Sequence, residues 1–296
     1  MKVSNSIAAV LAATVLVWTA AAQQPATPLT VTKVRENIYF AAGGAGSNSG
    51  IIIGPTSVIL VDAKTTTDSE KDVITAIGKL TPKPITTVFV THSDGDHVNG
   101  IPALPQGVRI IAHENCKKEM EAALAAAGRG APARESMPTQ VVTKNREDFV
   151  IDGIKFTALH WGPAHTSGDL VILLPDQKLV FGGDILATNR PDPIIHAEKN
   201  GSSLGWIDTV KAVVALDADS FVPGHGDLQT KDDVRKRLAS TEEKRTRIAA
   251  MAAQNKSIDE IKQALGEPAP AAPPPGGRGG GLAGFTDVVY QEVTKK

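Results

Sequence analysis

The sequence predicts a layered α/β fold rather than a single all-parallel sheet. Apolar segments of strand length alternate with helical patterns, and hairpin-like pairs of strand segments occur both early and late in the chain. Hairpins interspersed with helices are typical of sheets that carry helices on their faces. The composition, 42% hydrophobic and 21% charged over 296 residues, is that of an ordinary globular protein with enough chain for one large domain.

The individual segments follow one another in an order that supports this fold. Strand patterns lie at 29–43, 49–64, 86–92, 108–115, 146–161, 169–184 and 220–226. Helical patterns lie near 69–80, 116–127, 204–216, 231–253 and 258–265. Helices are thus distributed among the strand pairs, as a layered arrangement requires.

The N-terminal segment predicts a secretory signal peptide over residues 1–22. A short positive start precedes an apolar stretch from Ile7 to Trp18, and three alanines at 20–22 provide a cleavage site. A membrane anchor is the alternative, but a spanning helix needs about 20 apolar residues. We therefore expect a periplasmic or secreted protein with no stable membrane insertion after cleavage.

Composition also divides the rest of the chain. A polar leader at 23–30 precedes the domain, which we place at 31–265. Residues 266–284 are rich in proline and glycine and cannot pack a core, so they predict a linker. The last segment, 285–296, is regular enough to dock on the domain. Cys116 is the single cysteine, so no internal disulfide is predicted.

The charge balance narrows the choice of partner. The formal net charge is −1, and no basic excess indicates nucleic-acid binding. We expect a small-molecule substrate and no nucleic acid, and the oligomeric state stays open.

Potential metal ligands stand at the ends of four strand patterns. A rigid sheet that presents such loops on one side can bring them to a common site. Imidazole and carboxylate groups are the ligands of catalytic zinc, and two ions can share a site if a carboxylate bridges them. The candidates are His92, Asp94, Asp96, His97, His165, Asp184 and His225.

These motifs resemble those of the metallo-β-lactamase superfamily. The stretches THSDGDHVNG, GPAHTSGDL, FGGDIL and VPGHGD occur in the family's order, and the hairpin SGIIIGPTSVILVDAK, which contains Asp62, also matches. The resemblance covers about residues 31–265. It implies a four-layer αβ/βα sandwich with the metal site at one edge, between two sheets.

The resemblance also implies a role for each candidate ligand. One ion would be held by His92, the residue at 94 and His165, and a second by Asp96, His97 and His225, with Asp184 at the position of a bridging aspartate. We expect two Zn²⁺ ions, with Fe or Mn as alternatives. Asp96 is the expected catalytic residue.

This chain departs from the family at two places. Asp94 stands where the family usually has a histidine, and a carboxylate there makes the first metal position harder and more tolerant of Fe or Mn. The alternative is that Asp94 supports the site without binding metal. Ala187 and Thr188 stand where periplasmic lactamases often have a lysine for the substrate carboxylate. Arg190 and His196 are therefore the candidate substrate-binding residues.

We expect an exported metal-dependent hydrolase in which a metal-bound hydroxide, oriented by Asp96, attacks a carbonyl. A β-lactam or a similar cyclic amide or ester is the expected substrate, with a lactone or thioester as the alternative. Fold and ligands alone do not choose among these. Two hypotheses of another class are an iron-dependent oxidoreductase, which the carboxylate at 94 favours, and a non-catalytic metal-binding protein on the same fold.

Overall fold

Two mixed sheets face each other in the computed structural model, which describes residues 27–128, 130–267 and 282–295. The first sheet has seven strands in chain order: β1 (Thr27–Arg35), β2 (Ile38–Gly44), β3 (Ser49–Ile53), β4 (Val58–Val61), β5 (Ile85–Phe89), β6 (Arg109–His113) and β7 (Gln140–Val142). Strands β1 to β4 pair antiparallel, and β4 to β7 pair parallel.

The second sheet has six strands: β8 (Arg146–Ile151), β9 (Ile154–Leu159), β10 (Val171–Leu174), β11 (Leu179–Phe181), β12 (Ser220–Val222) and β13 (Gln229–Thr230). The β11–β12 pair is parallel and the other neighbours are antiparallel. Parallel neighbours need a crossover connection, which explains why helical patterns stand between such strands in the sequence.

Helices cover the outer face of each sheet. They are α1 (Thr67–Leu80), α2 (Gly95–Val98), α3 (Glu114–Ala125), α4 (Ser203–Ala215), α5 (Lys231–Ala253), α6 (Ile258–Ala264) and α7 (Phe285–Thr294). The first helix begins at a capping box formed by Thr66 and Ser69, and α5 and α6 begin with the same arrangement at Thr230 and Ser257. The five helical patterns of the sequence all form, with bounds that differ by two residues or fewer.

Three apolar clusters define the four layers. Phe40, Phe89 and Phe156 belong to the cluster between the sheets. Met120 lies in the cluster under α1 and α3, and Trp206 lies in the one under α4 to α7. Since apolar side chains are buried both between the sheets and beneath the helices, the layered α/β prediction and its form as an αβ/βα sandwich are confirmed.

The domain begins earlier than expected, and two predicted segments lie wholly or mostly outside the described residues. Strand β1 begins at Thr27, within the predicted leader, and Pro28 is accommodated because β1 is an edge strand, which does not need every backbone donor. The predicted signal peptide at 1–22 and most of the predicted linker lie outside the described residues.

Helix α7 packs on α4 and α5, with Phe285 and Val289 buried. Among the described helices, none is both long and apolar enough to cross a bilayer.

Candidate metal centre

Four strand ends bring all seven predicted ligands to one edge of the sandwich. The turn after β5 and the short helix α2 carry the first four, from His92 to His97. The turn between β9 and β10 carries His165, a short turn after β11 carries Asp184, and the loop after β12 carries His225. The first sheet therefore supplies one half of the cluster and the second sheet supplies the other.

The first metal position of the sequence analysis corresponds to a group centred on Asp94. Its Oδ2 atom lies 3.2 Å from His165 Nε2 and 3.6 Å from His92 Nε2. His92, Asp94 and His165 offer ligand atoms that lie within 4.8 Å of one another. Both histidines are buried, so their nitrogens are held in place by the surrounding fold.

The second metal position corresponds to a group at the mouth of the cluster. Asp96, His97 and His225 also offer ligand atoms within 4.8 Å of one another. Asp96 Oδ2 lies 2.9 Å from His225 Nε2 and 3.9 Å from His97 Nε2. The Asp96 side chain is 37% exposed and that of His225 is 20% exposed, whereas His97 is fully buried. This group therefore has a solvent-facing side and a buried side.

Asp184 lies between the two groups. Its Oδ1 atom is 3.3 Å from His97 Nε2 and 3.6 Å from His225 Nε2, and its Oδ2 atom is 4.0 Å from His165 Nε2. One oxygen thus faces each side, which is the arrangement that a bridging carboxylate needs.

Asp62 fixes the orientation of His97 directly and that of His92 through Thr91. It follows β4 with a positive φ of 61° and is 2% exposed. It accepts hydrogen bonds from Thr91 N and Thr91 Oγ1, each at 2.7 Å, and from His97 Nδ1 at 2.8 Å. Because the Thr91 hydroxyl donates to Asp62, its lone pair accepts from His92 Nδ1 at 3.0 Å. The Nε2 atoms of both histidines are thereby left to face the cluster.

Opposite charges keep the carboxylates of the cluster ionised. Burial raises the pKa of Asp184, but the imidazoles of His97, His165 and His92 outweigh burial and hold that pKa below its usual range. The pKa of Asp94 is also held below its usual range, because the lowering effect of His92, His165 and His196 outweighs the raising effect of burial. Burial lowers the pKa of His92 to about 4, which leaves its ring neutral at pH 7. Ionised carboxylates and a neutral imidazole are the protonation states that metal binding requires. Against the lowering effect of burial, the neighbouring carboxylates raise the pKa of His97 and that of His165, so an ion that binds these two imidazoles must displace a proton.

The two predicted substrate-binding residues lie in different places. His196 is buried, and its Nε2 atom lies 3.0 Å from Asp94 Oδ2, at the first metal position. Arg190 is exposed and lines a cavity of about 440 Å³ with Asp192, Phe285 and neighbouring residues. No predicted metal ligand lines that cavity.

The remaining histidines lie outside the cluster. His113 and His160 stack on each other with their ring centroids 3.8 Å apart. His113 caps the start of α3 by accepting from Asn115 N, and His160 Nδ1 donates to the carbonyl of Asp169. The order of motifs, rather than the residue type, therefore distinguished the cluster histidines from these two.

The donor set fits divalent cations. His92 Nε2, His97 Nε2 and Asp184 Oδ1 are buried without a hydrogen-bond partner among the described residues. Their three residues also form a group whose ligand atoms lie within 4.8 Å of one another. Buried polar atoms normally have partners, and three convergent orphans of this chemistry match the nitrogen and oxygen ligands of zinc or iron.

The sequence of the chain agrees with this geometry. The family model of the metallo-β-lactamase superfamily matches residues 42–225, which is more than half of the chain and includes every predicted ligand. The chain belongs to the metallo-β-lactamase superfamily. The resemblance noted from the motifs is therefore confirmed.

Relatives within the superfamily carry different activities in their names. The chain is 28% identical over 199 residues to the 2,4-dinitroanisole O-demethylase subunit alpha of Nocardioides sp. (strain JS1661), covering 67% of this chain and 57% of that protein. It is 24% identical to the metallo-beta-lactamase type 2 of Bacteroides fragilis, covering 72% of this chain and 88% of that protein. The chain thus spans little more than half of the demethylase subunit.

Solved structures share the fold. The stereoselective inverting sec-alkylsulfatase Pisa1 from Pseudomonas sp. superposes with a TM-score of 0.71 at 18% identity, covering 90% of this chain and 50% of that one. At this identity, the likeness concerns the fold alone.

Sequence reasoning missed Lys199 and the role of Asp62. Lys199 Nζ donates to Asp94 Oδ1 and, at 3.0 Å, to Ser93 Oγ. It lies far along the chain from Asp94, and no spacing in the sequence connects the two. The sequence presents Asp62 only as part of a hairpin, although its place after an apolar strand is a usable signal.

Proposed function

We propose that this chain is an exported metal-dependent hydrolase that opens a small cyclic amide or ester, with a β-lactam as the first candidate. The observation that carries the proposal is the convergence of three buried ligand atoms, which have no hydrogen-bond partner within the described part of the chain, beside the partly exposed carboxylate of Asp96. Superfamily membership supports hydrolysis. The match to the lactamase of Bacteroides fragilis extends over 88% of the length of that protein, which supports a β-lactam substrate. The signal-like N-terminal segment supports export.

The cluster provides ligands for divalent cations and, at its exposed side, a carboxylate that can transfer a proton. Two divalent cations, held by the seven ligands, would supply Lewis acidity and an acidified water. Asp184 directs one carboxylate oxygen toward each of the two groups and would offer one to each position. His97 is held by Asp62 and cannot rotate its Nε2 away from the cluster.

Asp96 is the group placed to handle a proton. It is the most exposed of the three cluster carboxylates, at 37% against 15% for Asp94 and 7% for Asp184. In the proposed reaction, its carboxylate orients the attacking water and accepts a proton. The same carboxylate then returns the proton to the leaving nitrogen or oxygen, which faces the open side of the site.

A sulfate ester is the second candidate substrate. The linear primary-alkylsulfatase of Pseudomonas sp. (strain ATCC 19151) is 24% identical to this chain over 218 residues, covering 60% of this chain and 40% of that protein. Its name supports a comparison of both substrate classes. The O-demethylase name of another relative adds aryl methyl ethers to the set that an assay should contain.

The test is metal content and substrate turnover on the same purified sample. We expect about two zinc ions per chain and hydrolysis of nitrocefin, a chromogenic β-lactam, that a chelator abolishes and added zinc restores. Parallel assays use nitrophenyl esters, a homoserine lactone, a thioester, a secondary alkyl sulfate and 2,4-dinitroanisole. Asp96→Asn should lower turnover at least a hundredfold on whichever substrate is active. A zinc-loaded protein that hydrolyses none of the cyclic amides or esters would overturn the substrate assignment.

A further inference from the structure

We propose that His196 is a further ligand of the first metal position, which thereby holds three imidazoles around the carboxylate of Asp94. The inference rests on the metal-binding part of the proposed function and is independent of the substrate. It concerns a residue outside the seven predicted ligands.

Three imidazole nitrogens converge on one oxygen. Asp94 Oδ2 lies 3.0 Å from His196 Nε2, 3.2 Å from His165 Nε2 and 3.6 Å from His92 Nε2. The His196 contact is the shortest of the three. His92, Asp94 and His165 already offer ligand atoms within 4.8 Å of one another, and the His196 ring, which lies outside that group, would have to move inward for its Nε2 atom to join them.

The other nitrogen of His196 is held as metal-binding histidines require. Nδ1 of His196 is hydrogen-bonded to a carboxylate oxygen of Glu198. Likewise, His165 Nδ1 donates to the carbonyl of Ile194 at 2.8 Å, and His97 Nδ1 donates to Asp62. An acceptor at Nδ1 places the proton there and leaves the Nε2 lone pair for a cation. His196 thus has the same arrangement as two of the predicted ligands.

The backbone also fixes His196 next to His165. His196 N donates to the His165 carbonyl at 2.8 Å, while the side chain of His165 donates to the carbonyl of Ile194. Gly201 N and Lys199 N both donate to the His196 carbonyl at 2.9 Å. The backbone that carries His196 is therefore hydrogen-bonded to the turn that carries His165, which keeps both side chains beside Asp94.

Lys199 explains how Asp94 tolerates this environment. Its Nζ atom donates to Asp94 Oδ1, so one oxygen pairs with a lysine while the other faces the three imidazoles. The positive charge of Lys199 offsets the carboxylate. The imidazoles then contribute most of the binding to an ion at this position.

The experiment measures Zn²⁺ binding to the full mature chain by competition with a chromophoric chelator, together with the absorption spectrum of the Co²⁺-loaded protein. The variants are His196→Ala, His196→Gln, His165→Ala and His225→Ala, and circular dichroism verifies their folding. His113→Asn is the control, because it removes an imidazole outside the cluster and keeps a side chain that caps a helix well.

We expect His196→Ala to lower the affinity for one of the two zinc ions at least tenfold and to reduce the Co²⁺ absorption bands of that position. The control should leave the Zn²⁺ affinity and the Co²⁺ spectrum unchanged. The affected ion should be the one that His165→Ala removes. Adding His196→Ala to His165→Ala should therefore cause no further loss of Zn²⁺ affinity. Adding it to His225→Ala should lower the Zn²⁺ affinity of both positions. His196→Gln should behave like His196→Ala.

The outcomes separate this inference from the proposed function. If both His196 variants bind two ions within twofold of the unsubstituted protein and keep its cobalt spectrum, His196 is not a ligand and the inference is wrong. If the unsubstituted protein binds two ions but hydrolyses no cyclic amide or ester, only the substrate assignment fails. If it binds no divalent ion, the metal centre and this inference fail together.

Discussion

At the scale of single residues, the metal centre depends on groups that bind no metal themselves. Asp62 and Gly224 are examples. Asp62 orients His97 through a buried hydrogen bond. Gly224 allows the Asp184 carboxylate and the His97 ring to lie close to its backbone, because a Cβ atom at this position would lie 2.1 Å from Asp184 Oδ1 and 2.9 Å from His97 Cε1. Neither residue would be recognised from its chemistry alone.

Gly224→Ala should impair metal binding more than it impairs folding. The added methyl group must displace the Asp184 carboxylate from its place between the two groups. We expect at least a tenfold loss of zinc affinity, as is typical when the surroundings of a ligand are disturbed. A chelator competition measures it. Gly78→Ala is the control, since a Cβ there meets nothing within 4 Å and the change adds a better helix former. Equal zinc affinity in the two variants would contradict the prediction.

Glu70 gives the protein a pH-dependent stability outside the metal centre. It is fully buried, and its Oε2 atom accepts a hydrogen bond from Lys64 N at 3.0 Å. Burial raises the pKa of Glu70 to about 7, against the opposing influence of Lys64. The folded protein therefore holds this proton more tightly than the unfolded chain does. The resulting stabilisation is complete below pH 4.5 and is lost as the pH rises through 7.

Comparison of the unsubstituted protein with Glu70→Gln tests this assignment. The stability of the unsubstituted protein relative to the variant should fall by about 2–3 kcal/mol between pH 4.5 and pH 7.5, since each pKa unit corresponds to about 1.4 kcal/mol. Urea unfolding at several pH values, with a chelator present throughout, measures the difference. The contributions of the metal ligands are common to both proteins and cancel. A difference that does not change with pH would exclude Glu70 as the titrating group.

At the scale of elements, helix α7 closes the outer cluster of the second sheet. Val288 and Val289 are buried there, and Glu292 accepts from Ser203 N at 2.7 Å. Lys262 and Asp287 form an ion pair at 2.6 Å between α6 and α7. The helix therefore contributes to the core even though the segment before it, residues 268–281, is outside the description.

Val289→Ala should destabilise the protein by about 2 kcal/mol, because it removes buried methyl groups and leaves a small cavity. Val293→Ala, on the same helix but 36% exposed, is the matched control and should cost much less. Urea unfolding of the zinc-loaded proteins measures both. Zinc affinity should be unchanged in each, since α7 carries none of the predicted ligands. Equal loss of stability in the two variants would show that α7 does not pack as described.

At the scale of the whole molecule, metal binding should stabilise the fold. Ligands from both sheets converge, so an ion that binds the folded chain and not the unfolded one shifts the equilibrium. At a free ion concentration a thousand times the Kd, the gain is about 4 kcal/mol. Thermal unfolding should show a Tm several degrees higher with Zn²⁺ than with a chelator, and the same scan with Fe²⁺ and Mn²⁺ ranks the three metals. An unchanged Tm with every metal would contradict a folded-state metal centre.

Much of this architecture could be predicted from the sequence, since short apolar runs bounded by turn residues, such as those of β4 and β5, favour buried strands. The convergence of the candidate ligands could be predicted because Gly and Pro turns mark the strand ends that carry His165 and His225. The contacts of Lys199 and His196 with Asp94 could not, because they depend on how a loop of the second sheet folds over a turn of the first. The expected substrate contact at Arg190 also depended on loop conformation, and the structure places that residue on another cavity.

The division of the ligands between two sheets has a consequence for the life history of the protein. His92 is synthesised long before His225, and the strands that carry His165, Asp184 and His225 must assemble before their side chains can meet it. A chain that has formed only its first sheet offers four of the seven predicted ligands, and the complete set exists only after the second sheet has assembled against the first.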